Sequence, residues 1–219
     1  MVSSALDSVK NYLTYENLQQ TWSYTGRSLL LTRYCLYVIA KSCPQPLLAV
    51  CPAKIEKTVN YLKLASILGV PFTVINIVKG SQTLFASNNK KQVAIRSLQV
   101  TLNVADLFDT VTTLANAILS LSSKKAILPA AALPVALFLN VGNSLLRTLD
   151  CYQIWNVETK TAEKVRRLHV FHITASCIAI TAIALFVKGV NDARPAALMA
   201  LATAIRLYNI PPILPRKQS

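Results

Sequence analysis

The sequence is short of charged residues and of glycine. Charged residues make up 15% of the chain, against about 25% in ordinary soluble domains. Together with a hydrophobic content of 53%, this composition excludes a disordered chain and is atypical of a soluble fold. Five glycines occur among 219 residues, and no long segment alternates apolar and polar residues, so β-sheets are poorly supported. The sequence therefore predicts an all-α protein.

The common motifs of catalytic and cofactor sites are also missing. We find no phosphate-binding glycine loop, Gly-Xaa-Ser-Xaa-Gly elbow, Cys-Xaa-Xaa-Cys pair or His-Glu-Xaa-Xaa-His helix. The two histidines, His169 and His172, could share a helix face, but no carboxylate or cysteine within a few residues completes a ligand set. We therefore expect no enzyme activity, no catalytic residue, no cofactor and no metal site.

Five cysteines are too few and too widely spaced for a disulfide framework. Cys35 and Cys177 lie in apolar runs, where cysteine acts as a small hydrophobic residue. Cys43 and Cys51 begin and nearly end the loop sequence CPQPLLAVCP. Two interpretations of that loop stay open: a pair of loop thiols, which we favour, or a loop that is closed by a disulfide or acylated beside a membrane.

Two long apolar runs are the strongest positive signal. Ala126–Leu146 has no ionisable residue in 21 positions, and Val170–Val187 has only His172 in 18. Helices of about 18 or more apolar residues match a hydrocarbon core of roughly 30 Å. We therefore predict a multi-pass helical membrane protein with two transmembrane helices plus two or three apolar or amphipathic helices.

Apolar segments outside these runs predict the remaining helices. The segment Ile55–Val78 predicts a helix that is kinked at Pro71 and ends at Gly80. Pro195–Ile210 predicts another helix. We divide the chain into residues 1–54, an amphipathic or interfacial helical N-terminal region, and residues 55–219, a hydrophobic helical membrane domain.

The segment Gln92–Leu121 has one apolar and one polar face. Polar residues recur along it at near-helical spacing, and we call them the polar seam: Gln99, Asn103, Asp106, Asp109, Thr110, Thr113 and Ser120. Its two carboxylates would be costly in hydrocarbon, so they must face protein, headgroups or water. The seam either holds a helix bundle together, or belongs to a helix lying in the membrane plane, or forms a path for an ion or proton.

Positive charge is in large excess, with 23 Lys and Arg against 9 Asp and Glu and a formal net charge of +14. The cations flank the apolar segments, an arrangement that suits lipid phosphates. The predicted headgroup contacts are Lys90, Lys91, Lys124, Lys125, Arg166 and Arg167. We expect anionic membrane lipids as partners and, because no nucleic-acid-binding motif occurs, no nucleic acid. Protein partners stay unidentified, and a homo-oligomer is an open alternative.

Three features give the chain a family resemblance: the serine-bearing, uncleaved start Val2–Ser8, the paired hydrophobic lobes and the charged ends. With these features, the region Lys124–Val190 resembles the inclusion membrane proteins that chlamydiae secrete into the membrane of their host-derived vacuole. The resemblance implies type III secretion, insertion in the vacuole membrane and binding of host proteins from the cytosolic face. The two lobes of that family join in a tight hairpin, whereas Asp150–Arg167 separates them here.

A second likeness concerns Gln92–Leu121 beside Lys90 and Lys91, which is similar to the bilayer-deforming amphipathic helices of peroxisomal membrane-elongating proteins. The sequence thus favours a non-enzymatic membrane protein that shapes membranes or recruits partners, including a secreted inclusion-membrane-type effector. The alternative is a small transporter or channel that uses the polar seam around Asp106 and Asp109.

Overall fold

The computed structural model describes residues 15–42, 51–87, 89–122 and 129–209. This part of the chain is helical and contains no strand, which confirms the all-α prediction. Seven α-helices and one short 3-10 segment follow one another: α1 (Tyr15–Ser42), α2 (Cys51–Leu64), the 3-10 segment (Ala65–Gly69), α3 (Val70–Phe85), α4 (Lys90–Leu121), α5 (Pro129–Gln153), α6 (Lys160–Val187) and α7 (Ala193–Tyr208).

Four helical stretches are long and apolar enough to cross a membrane: Lys54–Phe85, Lys90–Leu121, Ala132–Gln153 and Lys160–Val187. The last two contain most of the two predicted spans, and the first two are further apolar helices of the predicted class. Only 6% to 28% of the most apolar window in each stretch is buried inside the protein. Most of these apolar side chains therefore lie on the outside of the bundle, as they do in a membrane protein.

Capping residues explain where the helices begin. The side chain of Asn89 accepts a hydrogen bond from the Lys91 amide at 2.9 Å, and that of Thr159 accepts one from the Ala162 amide at 3.1 Å. Each satisfies a backbone donor of the first helical turn. As a result, α6 begins ten residues before the apolar run at Val170, and Arg166 and Arg167 lie on the helix rather than in a connection.

The predicted helix Ile55–Val78 is interrupted close to the expected place but does not end where expected. The 3-10 segment ends at Gly69, two residues before Pro71, which lies in the first turn of α3. The expected stop at Gly80 is wrong, because α3 continues to Phe85. Gly80 instead packs against α4, where an added Cβ would lie 3.0 Å from Val100 Cγ2.

The helices pack in a closed ring. α1 contacts α2 and α7; α7 contacts α6, α6 contacts α5, and α5 contacts α4, which in turn packs against both α2 and α3. Gly142 of α5 lies against Leu102 of α4, close enough that an added Cβ would approach Leu102 Cδ2 to 2.5 Å. Such small residues permit close helix approach in membrane proteins.

Candidate functional site

The polar seam of α4 faces the inside of the ring. Successive residues of an α-helix are rotated by about 100°, so Asp106 lies nearly opposite Val104 and Phe108. Those two apolar side chains are 49% and 48% exposed on the outer face of α4. Asp106 is also exposed, but it lines a cavity between the helices. The apolar face of α4 is therefore turned outward and its carboxylates are turned inward.

The first cavity, of about 340 Å³, lies between α1, α2, α3 and α4 and is partly open to the outside. Five charged side chains line it: Arg27 and Arg33 from α1, Lys63 from α2, and Asp106 and Asp109 from α4. Thr73 of α3 also lines the cavity, and its hydroxyl donates to Asp106 Oδ2 at 3.3 Å. The structure thus brings both predicted seam carboxylates together with three cations from other helices.

Arg33 is the most enclosed of these cations. Its Nη2 donates to the Tyr34 hydroxyl at 3.1 Å, and its guanidinium carbon lies 5.0 Å from the centre of the Tyr34 ring. The Nε atom is buried and donates to no acceptor in the described part of the chain. Leaving a buried charged donor without a partner is costly, so this atom points to an acceptor that the described residues do not supply.

A second cavity, of about 380 Å³, adjoins the first, because Asn76 lines both. The seam residues Gln99 and Asn103 lie here. The charged lining residues are Lys79, Arg96, Arg147 and Asp150. Arg147 and Asp150 approach each other at 3.8 Å on α5.

The seam extends across the whole bundle. From Gln99 to Ser120 it covers 21 residues, which at 1.5 Å per residue is about 31 Å. This length equals the thickness of a bilayer hydrocarbon core, about 30 Å. Asp106 lies near the middle of α4, and at the far end Asn60 of α2 donates to the Ser120 hydroxyl at 2.9 Å. The seam therefore extends along α4 over a length close to that of a bilayer core, and its six residues from Gln99 to Thr113 line the two cavities.

Arg206 is a further inward cation, and sequence reasoning did not single it out. Its Nη2 donates to Asn140 Oδ1 at 2.6 Å and to Ser176 Oγ at 3.1 Å, which joins α7 to α5 and α6. Its carbonyl accepts a hydrogen bond from Arg27 Nη1 at 2.5 Å, which joins α7 to α1. The sequence signal was an arginine inside an apolar helix, since such residues normally face a bundle interior.

The four predicted headgroup contacts that the structure describes lie outside the two cavities. Lys90 and Lys91 are exposed at the start of α4. Arg166 donates to the Trp155 carbonyl, and Arg167 pairs with Glu163 at 2.5 Å on the surface of α6. Lys124 and Lys125 lie outside the described residues.

Exposed aromatic rings accompany these cations at one end of the bundle, which we call the aromatic end and define by residues 85–87, 89–91 and 152–159. These residues lie at the same end because Thr83 of α3, Arg96 of α4 and Asp150 of α5, which are near them in sequence, line one cavity. Phe85, Tyr152 and Trp155 are 87%, 76% and 61% exposed. Aromatic rings beside cations are typical of the membrane–water interface.

The remaining candidate groups were histidines and cysteines. Among the described residues, no group of three His, Cys, Asp or Glu side chains is placed to hold a metal ion. Cys35 and Cys177 are exposed free thiols, and Cys151 is buried. Cys43 and the side chain of Cys51 lie outside the described part, so the two interpretations of their loop both stay open.

Comparison of the chain with protein-family models, curated proteins and solved structures finds no match. The likenesses to inclusion membrane proteins and to peroxisomal membrane-elongating proteins therefore stay predictions.

Proposed function

We propose that this protein is a small membrane transporter or channel and that its polar solute moves along the polar seam inside the helix ring. One observation carries the proposal: from Gln99 to Thr113, a rise of about 21 Å, the seam of α4 lines two adjoining cavities while the apolar side chains face outward. Ionisable side chains are rare within membrane segments and commonly mark ion or substrate pathways.

Flux through reconstituted vesicles tests this proposal. Purified protein is inserted in liposomes preloaded with K⁺, Cl⁻ and labelled alanine, and the efflux of each is followed against protein-free vesicles. We expect efflux of at least one solute, and we expect Asp106→Asn or Asp109→Asn to abolish it while insertion is unchanged. Glu158→Gln is the matched control, because Glu158 is an exposed carboxylate outside both cavities. Wild-type vesicles as tight as empty ones would contradict the proposal.

A second candidate function is membrane shaping or partner recruitment at an anionic bilayer, and the aromatic end favours it. Exposed Lys90 and Lys91 lie there beside Phe85, an arrangement suited to anionic headgroups. The double charge reversal Lys90→Glu with Lys91→Glu should then weaken tubulation of anionic liposomes. The Asp106→Asn variant should tubulate them normally. If Asp106→Asn abolishes flux and the wild-type protein never tubulates liposomes, the transport proposal alone remains.

The location that follows from either function is a multi-pass position in a membrane. The second candidate function also includes a proposed location, the membrane of an inclusion-type vacuole, and a proposed export route, type III secretion. Both are tested by following the tagged chain in infected host cells, where a uniform bacterial location would contradict them.

A further inference from the structure

The first cavity has two walls of opposite charge. Arg27, Arg33 and Lys63 lie on α1 and α2, whereas Asp106 and Asp109 lie on α4. The cations and the carboxylates of the cavity therefore come from different helices of the ring, and we call these two sets its two walls.

No ion pair closer than 4.0 Å joins the two walls, although Arg33 and Asp109 are near enough to attract each other. Three ion pairs closer than 4.0 Å occur in the described part of the chain, Arg147–Asp150, Glu163–Arg167 and Asp192–Arg194, and none involves the first cavity. The Arg33 Nε is buried without an acceptor in that part of the chain. A hydrogen bond from Thr73 uses one of about four acceptor positions on the Asp106 carboxylate. Donors and acceptors of full charge thus remain available on both walls.

The buried Nε of Arg33 calls for a partner in the space between the walls, and the exposed carboxylate of Asp106 is accessible from the same space. Unpaired charges removed from bulk water are strongly unfavourable unless another charge or a hydrogen-bonding group compensates them. A simple anion would satisfy the arginines but would face two carboxylates. A simple cation would satisfy the carboxylates but would face three cations. A ligand that carries both charges meets both walls at once.

The volume of the cavity limits the size of that ligand. At about 340 Å³ it lies at the lower end of the range for small-molecule sites. Trp22 and Phe72 add apolar surface to the same cavity. The space suits a molecule of a few heavy atoms with a short apolar part.

We propose that the first cavity binds a small zwitterion of the α-amino-acid type. Arg33, with Arg27, holds its carboxylate, and Asp109, with Asp106, holds its ammonium group. This assignment rests on the proposed transport function, because it names the solute class of the same interior path.

Tryptophan fluorescence can report binding directly in detergent. The chain contains two tryptophans, and Trp22 lines the cavity whereas Trp155 does not. In a Trp155→Phe background, the emission of Trp22 is titrated with alanine, with acetate and with ethylamine. We expect saturable changes with alanine, and an affinity at least about tenfold weaker for acetate and for ethylamine, since each lacks one charged contact.

Variants on each wall test the two halves of the site. Arg33→Gln and Asp109→Asn should each raise the Kd for alanine roughly tenfold or more. Asp109→Asn should also bring alanine and acetate to similar affinities, which a merely unfolded variant would not do. Arg194→Gln and Glu158→Gln are matched controls at exposed positions outside the cavity and should bind as the parent does. Circular dichroism identifies any variant that fails to fold. If Arg33→Gln fails, Arg33→Lys replaces it, and if Asp109→Asn fails, Asp109→Glu replaces it.

The outcomes separate this proposal from the transport proposal. If acetate binds as tightly as alanine, the proposed zwitterion site is overturned in favour of an anion site. If ethylamine binds as tightly as alanine, it is overturned in favour of a cation site. No fluorescence response to any probe would overturn it as well. Alanine binding without flux would leave the ligand assignment standing and remove transport. Flux of K⁺ or Cl⁻ without alanine binding would leave the transport proposal standing and remove the ligand assignment.

Discussion

Arg206 is the side chain whose loss should weaken the helix ring most selectively. The Arg206→Leu substitution removes two hydrogen bonds, to Asn140 and to Ser176, whose residues are 8% and 3% exposed. A hydrogen bond to a charged group contributes about 1.5–3 kcal/mol in soluble proteins but averages nearer 0.6 kcal/mol between membrane helices. Both bonds come from one nitrogen, and the substitution leaves their buried acceptors unpaired. We therefore expect the free energy of unfolding to fall by about 2–4 kcal/mol.

Thermal unfolding in detergent, followed by circular dichroism, measures this loss. For a chain of this size about 1 kcal/mol corresponds to 2–4 °C, so Arg206→Leu should melt about 5–15 °C below the wild type. Arg206→Lys should fall between them, because an ammonium lacks the planar fork that reaches two acceptors. The matched control is Arg194→Leu on the same helix, where the arginine is exposed and pairs only at the surface. Equal melting temperatures for Arg206→Leu and Arg194→Leu would refute this account of how α7 is held.

Three further predictions concern packing, capping and membrane depth. Gly69→Ala should destabilise the protein by about 1–3 kcal/mol through overpacking, because its Cβ would lie 2.5 Å from Trp22 Nε1. In the same melts Gly26→Ala, whose Cβ would meet the same indole at 3.5 Å, should be neutral or slightly stabilising. The hydrogen bonds that Asp192 accepts from the Arg194 amide and side chain lower the pKa of Asp192. Its stabilisation is therefore present at neutral pH and disappears as the pH falls below about 3.9, so the melting advantage of the wild type over Asp192→Asn should shrink over that range. Finally, in Trp22→Phe protein the emission of Trp155 should be quenched more by headgroup-attached than by mid-chain lipid quenchers, and the reverse order would contradict the interfacial placement of the aromatic end.

Composition and apolar run length were sufficient to predict the fold class. The runs Ala126–Leu146 and Val170–Val187 fall largely within α5 and α6, since burial in lipid requires a run of about 20 apolar residues wherever the helix itself begins. The helix ends were less predictable. α5 continues through Arg147 and Asp150, and α6 starts after Thr159, because capping and polar helix formers extend a helix beyond the bilayer.

The two halves of the candidate site differed in how well the sequence predicted them. The seam residues Asp106 and Asp109 lie on one long periodic helix, so their common face follows from local geometry alone. The cations that oppose them come from α1 and α2, and their position depends on how the ring closes. Arg33 interrupts an apolar stretch in the sequence, which indicates an inward position. Nothing local in the sequence indicates which helix it faces.

Ring closure also has a consequence for biogenesis. The first and last described helices meet through the contact between Arg27 and Arg206, which are 179 residues apart in the chain. During synthesis the guanidinium groups of α1 therefore emerge long before the helix that encloses them. Until α7 arrives, a nascent chain has an open side through which charged groups meet lipid or the insertion machinery. Shortened chains that end before α7 should consequently be substrates for membrane quality control.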